Sequence, residues 1–271
     1  MDQLFEETIA ATRAAGRAIM QFYQSDFTVA DKSPDNPVTD VDLAADRLLH
    51  ERLLALLPDA GWLSEETADN PERLAQRRVW VVDPLDGTKE FVMGIPEFSV
   101  AVALVDDGQP LLAVVYNPAT GELFSARRGA GLTHNGCAAA VSGCNVLAGA
   151  RVDASRSEMK RGEFEPFASL VDLNVVGSIA YKLARVAAGQ ADATWSRGPK
   201  HEWDICAGTL LVQEGGGICV DLDGQPMRFN KSFPKVNGLV ADNGALHEEL
   251  MATLMPHGAA RVDPPRQARE P

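Results

Sequence analysis

Apolar and polar residues follow a helical period at the start of the chain. Apolar residues recur at helical spacing over residues 4–22 and again over residues 40–57, where Pro58 ends the pattern. This spacing predicts two amphipathic helices. The segment Asp31–Pro37 between them is polar and contains proline, which predicts a loop.

The middle of the chain has the pattern of β-strands. Residues 79–83 form an apolar run of strand length that ends at an Asp-Pro step. Three short apolar or alternating runs follow, separated by turn residues, at 98–105, 111–116 and 122–126. This succession predicts an antiparallel meander.

From about residue 148 onward, strand-like and helix-like segments alternate. The predicted strands are 151–154, 191–195, 216–220 and 236–241. The predicted helices are 178–188 and 204–214. Alternation of this kind is typical of an α/β layer. We therefore expect an amino-terminal α+β half over 1–147, a carboxyl-terminal α/β half over 148–255 and a flexible tail over 256–271.

Length and composition exclude several classes of protein. A chain of 271 residues can bury a sizeable core, which excludes a small disulfide-stapled fold. The four cysteines show no Cys-x-x-Cys spacing, so we expect free thiols. No apolar stretch reaches the roughly 18 residues of a membrane span, and the amino terminus lacks the order of a signal peptide. These features predict a cytoplasmic protein and leave peripheral membrane association open.

The charge balance is acidic. Lys and Arg number 25 against 38 Asp and Glu, a formal net charge of −13. This excess argues against a surface that binds nucleic-acid polymers. It is compatible with a phosphate substrate if bound cations reverse the sign of the potential at the site.

The strongest candidate for chemistry is the turn after the 79–83 strand. Asp83 and Asp86 enter a turn that ends at the hydroxyl of Thr88. The strand places Asp83 at the carboxyl end of a sheet, where open α/β sheets bind ligands. Oxygen ligands suit Mg²⁺, and Gly87 lets the backbone approach a phosphate. The alternative is an Asp-Pro turn in which Asp86 caps a helix.

Two other acidic segments have ordinary explanations when each is considered alone. Glu65 and Glu66 follow an apolar run and would be solvated surface acids. Asp204 precedes an apolar helical segment and would be a helix cap. Three oxygen-bearing residues lie at the start of the second predicted helix, where capping requires only one of them: Thr39, Asp40 and Asp42.

Taken together, the segments Glu-Glu at 65–66, Asp-Pro-Leu-Asp-Gly-Thr at 83–88 and Trp-Asp-x-x-Ala-Gly at 203–208 resemble the inositol monophosphatase family. Their order and spacing match this family of lithium-sensitive, magnesium-dependent phosphomonoesterases. Further similar segments span nearly the whole chain, at 37–42, 114–118 and 186–192. The resemblance implies an α/β sandwich of alternating α and β layers.

Within that family, Lys-Glu-Phe at 89–91 resembles the 3′(2′),5′-bisphosphate nucleotidase branch, whereas inositol monophosphatases usually continue with Thr-Asn-Phe. Ser-Arg-Ser at 155–157 and Lys182 are also similar to nucleotidases. The chain departs from that branch at 177–182, where nucleotidases often have Gly-Ser-Ser-x-Lys. This departure leaves the substrate open, but not the type of reaction.

The resemblance implies a set of metal ligands. Glu65, Asp83 and the carbonyl of Leu85 would hold one Mg²⁺, and Asp83 would bridge to a second ion held by Asp86 and Asp204. A third, weaker ion would also contact Glu65, and Mn²⁺ is an alternative to Mg²⁺. Two such ions act as a clamp on the attacking and leaving oxygens of a phosphate ester.

The resemblance also implies roles in catalysis and substrate binding. Asp42 and Thr88 would orient and deprotonate the attacking water. Gly87 and Thr88 would donate backbone N–H groups to the scissile phosphate. Lys182 would hold a second phosphate, and the alternative for it is a solvated helix face. The metal ligands that would also contact substrate are Glu65, Leu85, Asp86 and Asp204.

The expected reaction is hydrolysis of the 3′-phosphate of adenosine 3′,5′-bisphosphate to AMP and phosphate, with 3′-phosphoadenosine 5′-phosphosulfate as a second substrate. By resemblance, this activity would clear a by-product of sulfate assimilation. One alternative is an inositol-1-phosphatase or a related sugar-phosphate phosphatase. A remote alternative is a metal-dependent binding protein without turnover. Family members are commonly homodimers, although no stripe in this sequence identifies an interface.

Overall fold

The structure is a computed structural model that describes residues 1–25, 29–33 and 36–255. In this part of the chain, the α-helices are α1 (Asp2–Met20), α2 (Asp40–Leu56), α3 (Thr88–Val92), α4 (Arg156–Lys160), α5 (Ile179–Ala187), α6 (Glu202–Glu214) and α7 (His247–Leu254). Two short 3₁₀ helices are Pro71–Ala75 and Glu165–Phe167.

The strands of the amino-terminal half are β1 (Val29–Ser33), β2 (Asn36–Thr39), β3 (Gly61–Ser64), β4 (Arg78–Asp86), β5 (Ser99–Asp106), β6 (Gln109–Asn117), β7 (Glu122–Arg127), β8 (Leu132–His134) and β9 (Cys137–Ala139). Those of the carboxyl-terminal half are β10 (Arg151–Ala154), β11 (Asp172–Val175), β12 (Ala193–Ser196), β13 (Lys200–His201), β14 (Ile218–Val220), β15 (Lys235–Val236) and β16 (Leu239–Asp242).

Two large sheets organise these elements. Strands β3 to β9 form a seven-stranded sheet in sequence order, in which β3 is parallel to β4 and all later pairs are antiparallel. The predicted meander is therefore confirmed. The second sheet has the order β11-β10-β12-β16-β14, with parallel pairing among the first three strands and antiparallel pairing in the rest.

Helices alternate with these sheets in layers. Trp80 and Val82 of β4 pack with α1 and α2, whereas Val79 and Val81 pack with α5 and α6. Successive strand residues point to opposite faces, so a strand buried on both faces is apolar at each position. The far side of α5 and α6 meets the second sheet, whose other face packs against α7 and the 3₁₀ helix at 165–167. The expected α/β sandwich of alternating layers is confirmed.

Two local predictions were wrong. The polar segment 31–37 is not a loop, because β1 and β2 pair as an antiparallel ribbon with a bulge between Asp31 and Ser33. Such a ribbon tolerates Pro37, since an outer strand does not need every N–H. The predicted strand 236–241 is two strands in different sheets, divided at Gly238, whose φ is +100°. A Cβ there would lie 2.4 Å from the backbone oxygen of Ser196.

Other predictions have simpler outcomes. The tail predicted at 256–271 lies outside the described residues, and the division near residue 147 stays a prediction. All four cysteines are free, as expected. None of the helices in the described ranges is long and apolar enough to cross a membrane.

Candidate active site

Three carboxylates from separate elements converge at one end of the seven-stranded sheet. One ligand atom each from Glu65, Asp83 and Asp204 lies within 4.8 Å of the others. Glu65 follows β3, Asp83 lies in β4 and Asp204 lies in the first turn of α6. Since β3 and β4 are parallel neighbours, their carboxyl ends deliver Glu65 and Asp83 to the same edge.

The electrostatics of this cluster favour a bound cation. Burial, followed by the charges of Glu65, Asp86 and Asp204, raises the pKa of Asp83 well above its usual range. Burial and the charges of Asp86 and Glu65 raise the pKa of Asp204 to about 8. Buried like charges are unfavourable unless an opposite charge lies between them. The oxygen-only donor set and its uncompensated negative charge therefore fit Mg²⁺.

Asp86 lines the same cavity but is anchored to α5. Its Oδ2 accepts hydrogen bonds from the Ser178 hydroxyl at 2.6 Å and from the Ala180 N–H at 2.7 Å. Burial raises the pKa of Asp86, while these hydrogen bonds and the charges of Lys200 and Lys182 oppose the rise. Asp86 therefore accepts hydrogen bonds at the start of a helix, but this helix is α5, far along the chain. Its carboxylate also contributes negative charge to the cavity.

The turn that carries Asp83 and Asp86 is held by its own backbone. The N–H of Leu85 donates to Asp83 Oδ1 at 3.0 Å. Gly87 has a φ of +95°, and a Cβ at this position would lie 2.9 Å from the backbone oxygen of Glu97. Only glycine fits both the left-handed conformation and the close approach. The chain then enters α3 at Thr88 and faces the cavity.

Asp42 and Thr88 form a hydrogen-bonded pair beside the cluster. The Thr88 hydroxyl lies 3.0 Å from Asp42 Oδ1 and 3.0 Å from the carbonyl oxygen of Leu85. Asp42 Oδ2 accepts hydrogen bonds from the backbone N–H and the hydroxyl of Thr39, at 2.8 and 2.5 Å. Asp42 therefore completes the capping box of α2 with one oxygen and contacts Thr88 with the other.

A cavity of about 320 Å³ opens above these groups. Its size lies within the range of about 300–1,000 Å³ of small-molecule sites. Its lining includes the carboxylate cluster with Gly87 and Thr88, and also three basic residues, Arg161, Lys182 and Lys200. We call these three residues the basic wall.

Lys182 is a buried member of the basic wall. Its side chain is 1% exposed, and its ammonium donates to Glu158 Oε2 at 2.7 Å. The alternative that Lys182 lies on a solvated helix face is therefore wrong. Glu158 itself, which the sequence analysis did not single out, accepts this hydrogen bond from within α4.

Asp46 is a second residue that sequence analysis missed. It lies one helical turn after Asp42 on α2 and is buried. Its two oxygens accept hydrogen bonds from the hydroxyls of Ser64 at 2.5 Å and Thr67 at 2.6 Å. These two residues flank Glu65 and Glu66, so Asp46 holds the segment that presents Glu65. The four-residue spacing from Asp42 is the only sequence signal for it.

The Lys-Glu-Phe segment at 89–91 contacts the α4 segment through Glu90. Glu90 is 8% exposed and lies 3.5 Å from Arg156, which also binds Glu97 at 2.5 and 3.2 Å. A Cβ on Gly177 would lie 2.4 Å from Glu90 Cγ, so Glu90 packs directly on this glycine. The segments 89–91, 155–157 and 177–182 are thus in contact.

Two tryptophans and a lysine near the motif segments have different surroundings. Trp80 is a core residue. Trp203 packs at the edge of the core, stacks on His201 with ring centroids 4.3 Å apart, and lines the cavity. Lys89 also lines the cavity. Glu66 lies beside the cluster, and its backbone N–H donates to Ser64 Oγ.

Comparison with known proteins places the chain in one family. The inositol monophosphatase family model matches residues 1–259. The chain is 35% identical to the 3′(2′),5′-bisphosphate nucleotidase CysQ of Aggregatibacter actinomycetemcomitans, over 86% of this chain and 90% of that protein. It is 33% identical to the Nus factor SuhB of Xylella fastidiosa, over 96% and 97% of the two chains. A solved structure of an IMPase from Thermotoga maritima aligns with a TM-score of 0.84 and 28% identity, over 94% of this chain and 98% of that one.

Proposed function

This chain belongs to the inositol monophosphatase family, and we propose that within it the chain acts as a 3′(2′),5′-bisphosphate nucleotidase. Members of the family are metal-dependent phosphatases, so the general reaction is hydrolysis of a small phosphate monoester. The proposed substrate is adenosine 3′,5′-bisphosphate, which yields AMP and phosphate, and the 5′-phosphosulfate analogue is a second substrate.

The observation that carries this proposal is that the basic wall and the carboxylate cluster line the same cavity. A bisphosphate presents one phosphate to the metal ions and has a second anionic group left over. Lys182 and Lys200 supply positive charge in the lining of the same cavity. Inositol 1-phosphate carries only hydroxyls there, which form weaker hydrogen bonds with ammonium groups than a phosphate does. The similarity to a bisphosphate nucleotidase over most of both chains supports the same substrate class.

We propose that the metal ligands are Glu65, Asp83, Asp86, Asp204 and the carbonyl of Leu85, for two or three Mg²⁺ ions, with Mn²⁺ as a substitute. The convergence and burial of the carboxylates support this set. Mg²⁺ held by these residues would neutralise phosphate charge and lower the pKa of a bound water.

Residues of the chain itself are proposed to accept the proton of the attacking water and to bind the scissile phosphate. The Thr88 hydroxyl can donate its proton to Asp42 Oδ1 while it accepts one from the attacking water, because the two side-chain oxygens lie within hydrogen-bonding distance. The backbone N–H groups of Gly87 and Thr88 are proposed to donate to the scissile phosphate. Burial of Asp42, whose side chain is held by Thr39, keeps the acceptor oriented.

A second candidate is an inositol-1-phosphatase or a sugar-phosphate phosphatase, which the likeness to an IMPase structure favours. The metal site and the water-handling pair would be the same. Only the contacts of the basic wall would differ. With the nucleotidase function we also propose a cytoplasmic location, lithium sensitivity and a role in sulfur metabolism.

The test is the identity of the product from adenosine 3′,5′-bisphosphate with Mg²⁺. Chromatography should show adenosine 5′-monophosphate and one equivalent of phosphate. Accumulation of adenosine 3′-monophosphate would contradict the proposed orientation. Lack of turnover, alongside hydrolysis of inositol 1-phosphate by the same preparation, would assign the second candidate.

A further inference from the structure

Two lysines of the basic wall share one buried carboxylate. Glu158 is fully buried, and its Oε2 accepts hydrogen bonds from the Lys182 ammonium at 2.7 Å and the Ser155 N–H at 2.9 Å. The Lys200 ammonium lies 3.6 Å from Glu158 Oε1. The three side chains together therefore carry one net positive charge.

The two ammonium groups are not equivalent. Lys182 is 1% exposed and bound to Glu158 by a short, charged hydrogen bond. Lys200 is 20% exposed, and its distance to Glu158 is beyond that of a hydrogen bond. None of the described residues accepts a hydrogen bond from its ammonium. Of these two lysines, Lys200 is thus the one that a ligand in the cavity can reach, and Lys182 supplies charge from within the wall.

Lys200 also lies at an opening of the catalytic cavity. The cavity adjoins a second cleft of about 600 Å³, and both are lined by Arg161 and Lys200. The charge of Lys200 lowers the pKa of both Asp86 and Asp204, against the larger effect of burial. Lys200 is therefore close to the metal-binding carboxylates and also open to a larger space.

We propose that Lys200 binds the second anionic group of a bisphosphate substrate, the 5′-phosphate or phosphosulfate of a nucleoside 3′-phosphate. Lys182 and Glu158 act as a positioning pair for it. This inference rests on the proposed nucleotidase function and deepens it by naming the residue that binds the second anionic group. An ammonium group with three N–H donors suits a phosphate group as a point charge.

The test compares two substrates that differ only in the second phosphate, adenosine 3′,5′-bisphosphate and adenosine 3′-monophosphate. The selectivity is the ratio of their kcat/KM values, measured for the wild type and for Lys200→Met. We expect this ratio to fall at least about tenfold in the variant, chiefly through KM for the bisphosphate, because a charge-assisted contact is lost. Lys200→Arg should retain most of the ratio.

Lys160→Met is the matched control. It removes the same charge from the exposed end of α4, outside the cavity. Its selectivity should equal that of the wild type. If the wild type prefers the bisphosphate and Lys200→Met keeps that preference, the inference is overturned while the proposed function stands. If the wild type itself shows no preference, the proposed function fails. Thermal denaturation of each variant verifies its folding.

Discussion

Replacement of Lys182 by methionine tests the central ion pair of the basic wall. The side chains of Lys182 and Glu158 are each 1% exposed, with 2.7 Å between their charged atoms. Lys182→Met fills much of the same volume but leaves the Glu158 carboxylate in the interior. The charge of Lys200, 3.6 Å away, then compensates it only in part.

Removal of one partner from a buried pair costs about 3–5 kcal/mol. Because Lys200 remains nearby, we expect the lower end, about 3 kcal/mol of unfolding free energy. At about 2–4 °C per kcal/mol for proteins of this size, Tm should fall by about 6–12 °C. Urea denaturation at pH 7, monitored by circular dichroism, gives the free energy of unfolding directly.

The double variant Lys182→Met/Glu158→Gln separates lost charge from lost packing. The Glu158→Gln change keeps a side-chain oxygen for the Ser155 N–H at the start of α4 but removes the negative charge. Most of the lost stability should return, and the coupling energy of the cycle should exceed about 1 kcal/mol. A cost below about 1 kcal/mol for Lys182→Met alone, or no recovery of stability on the second change, would refute an electrostatic role for this pair.

The pH dependence of the wild type gives an independent measure of the same pair. Burial favours the neutral acid, but the charges of Lys182 and Lys200 outweigh it and hold the pKa of Glu158 well below its usual 4.5. A depressed pKa contributes stability that is present above the unfolded value and is lost as pH falls through the folded value. Wild-type stability should therefore decline below about pH 4.5 more steeply than that of Lys182→Met.

Three further predictions concern the carboxylate cluster and its supports. Asp86→Asn should stay folded, with an unchanged or higher Tm because repulsion between buried carboxylates is relieved. The variant should lose nearly all phosphate release. Surviving turnover would contradict the metal-ligand assignment. Asp46→Ala should raise the Mg²⁺ concentration needed for half-maximal activity by about 10–100-fold. An unchanged Mg²⁺ titration would show that Asp46 does not support the site. Thr88→Val should lower kcat by about 10²-fold with little change in KM, measured by steady-state kinetics; a change confined to KM would assign Thr88 to substrate binding.

The layered fold could be predicted because the sequence pattern and the layers coincide. Residues 79–82 are apolar at each position since alternate residues pack against helices on opposite faces of β4. The hairpin of β1 and β2 was missed because its polar strands lack the alternating apolar pattern of a half-buried strand. The break at Gly238 was missed because the close approach of Ser196, which comes from another strand, is visible only in three dimensions.

The convergence of Glu65, Asp83 and Asp204 could be predicted because each lies near the end of a strand or the start of a helix and within a recognisable motif. Asp46 and Glu158 could not, because each is a polar residue in a helix whose partner comes from elsewhere. Asp46 bonds Ser64, which is 18 residues away. Glu158 bonds Lys182, which is 24 residues away. In the sequence alone, buried polar partners of this kind are indistinguishable from solvated side chains.

The measurement that tests the proposed function most directly is phosphate release from adenosine 3′,5′-bisphosphate and from inositol 1-phosphate, side by side, with Mg²⁺ and with EDTA. We predict a higher kcat/KM for the bisphosphate with Mg²⁺ and loss of both activities in EDTA. A preference for inositol 1-phosphate would contradict the nucleotidase function, and turnover that persists in EDTA would contradict the metal-dependent site.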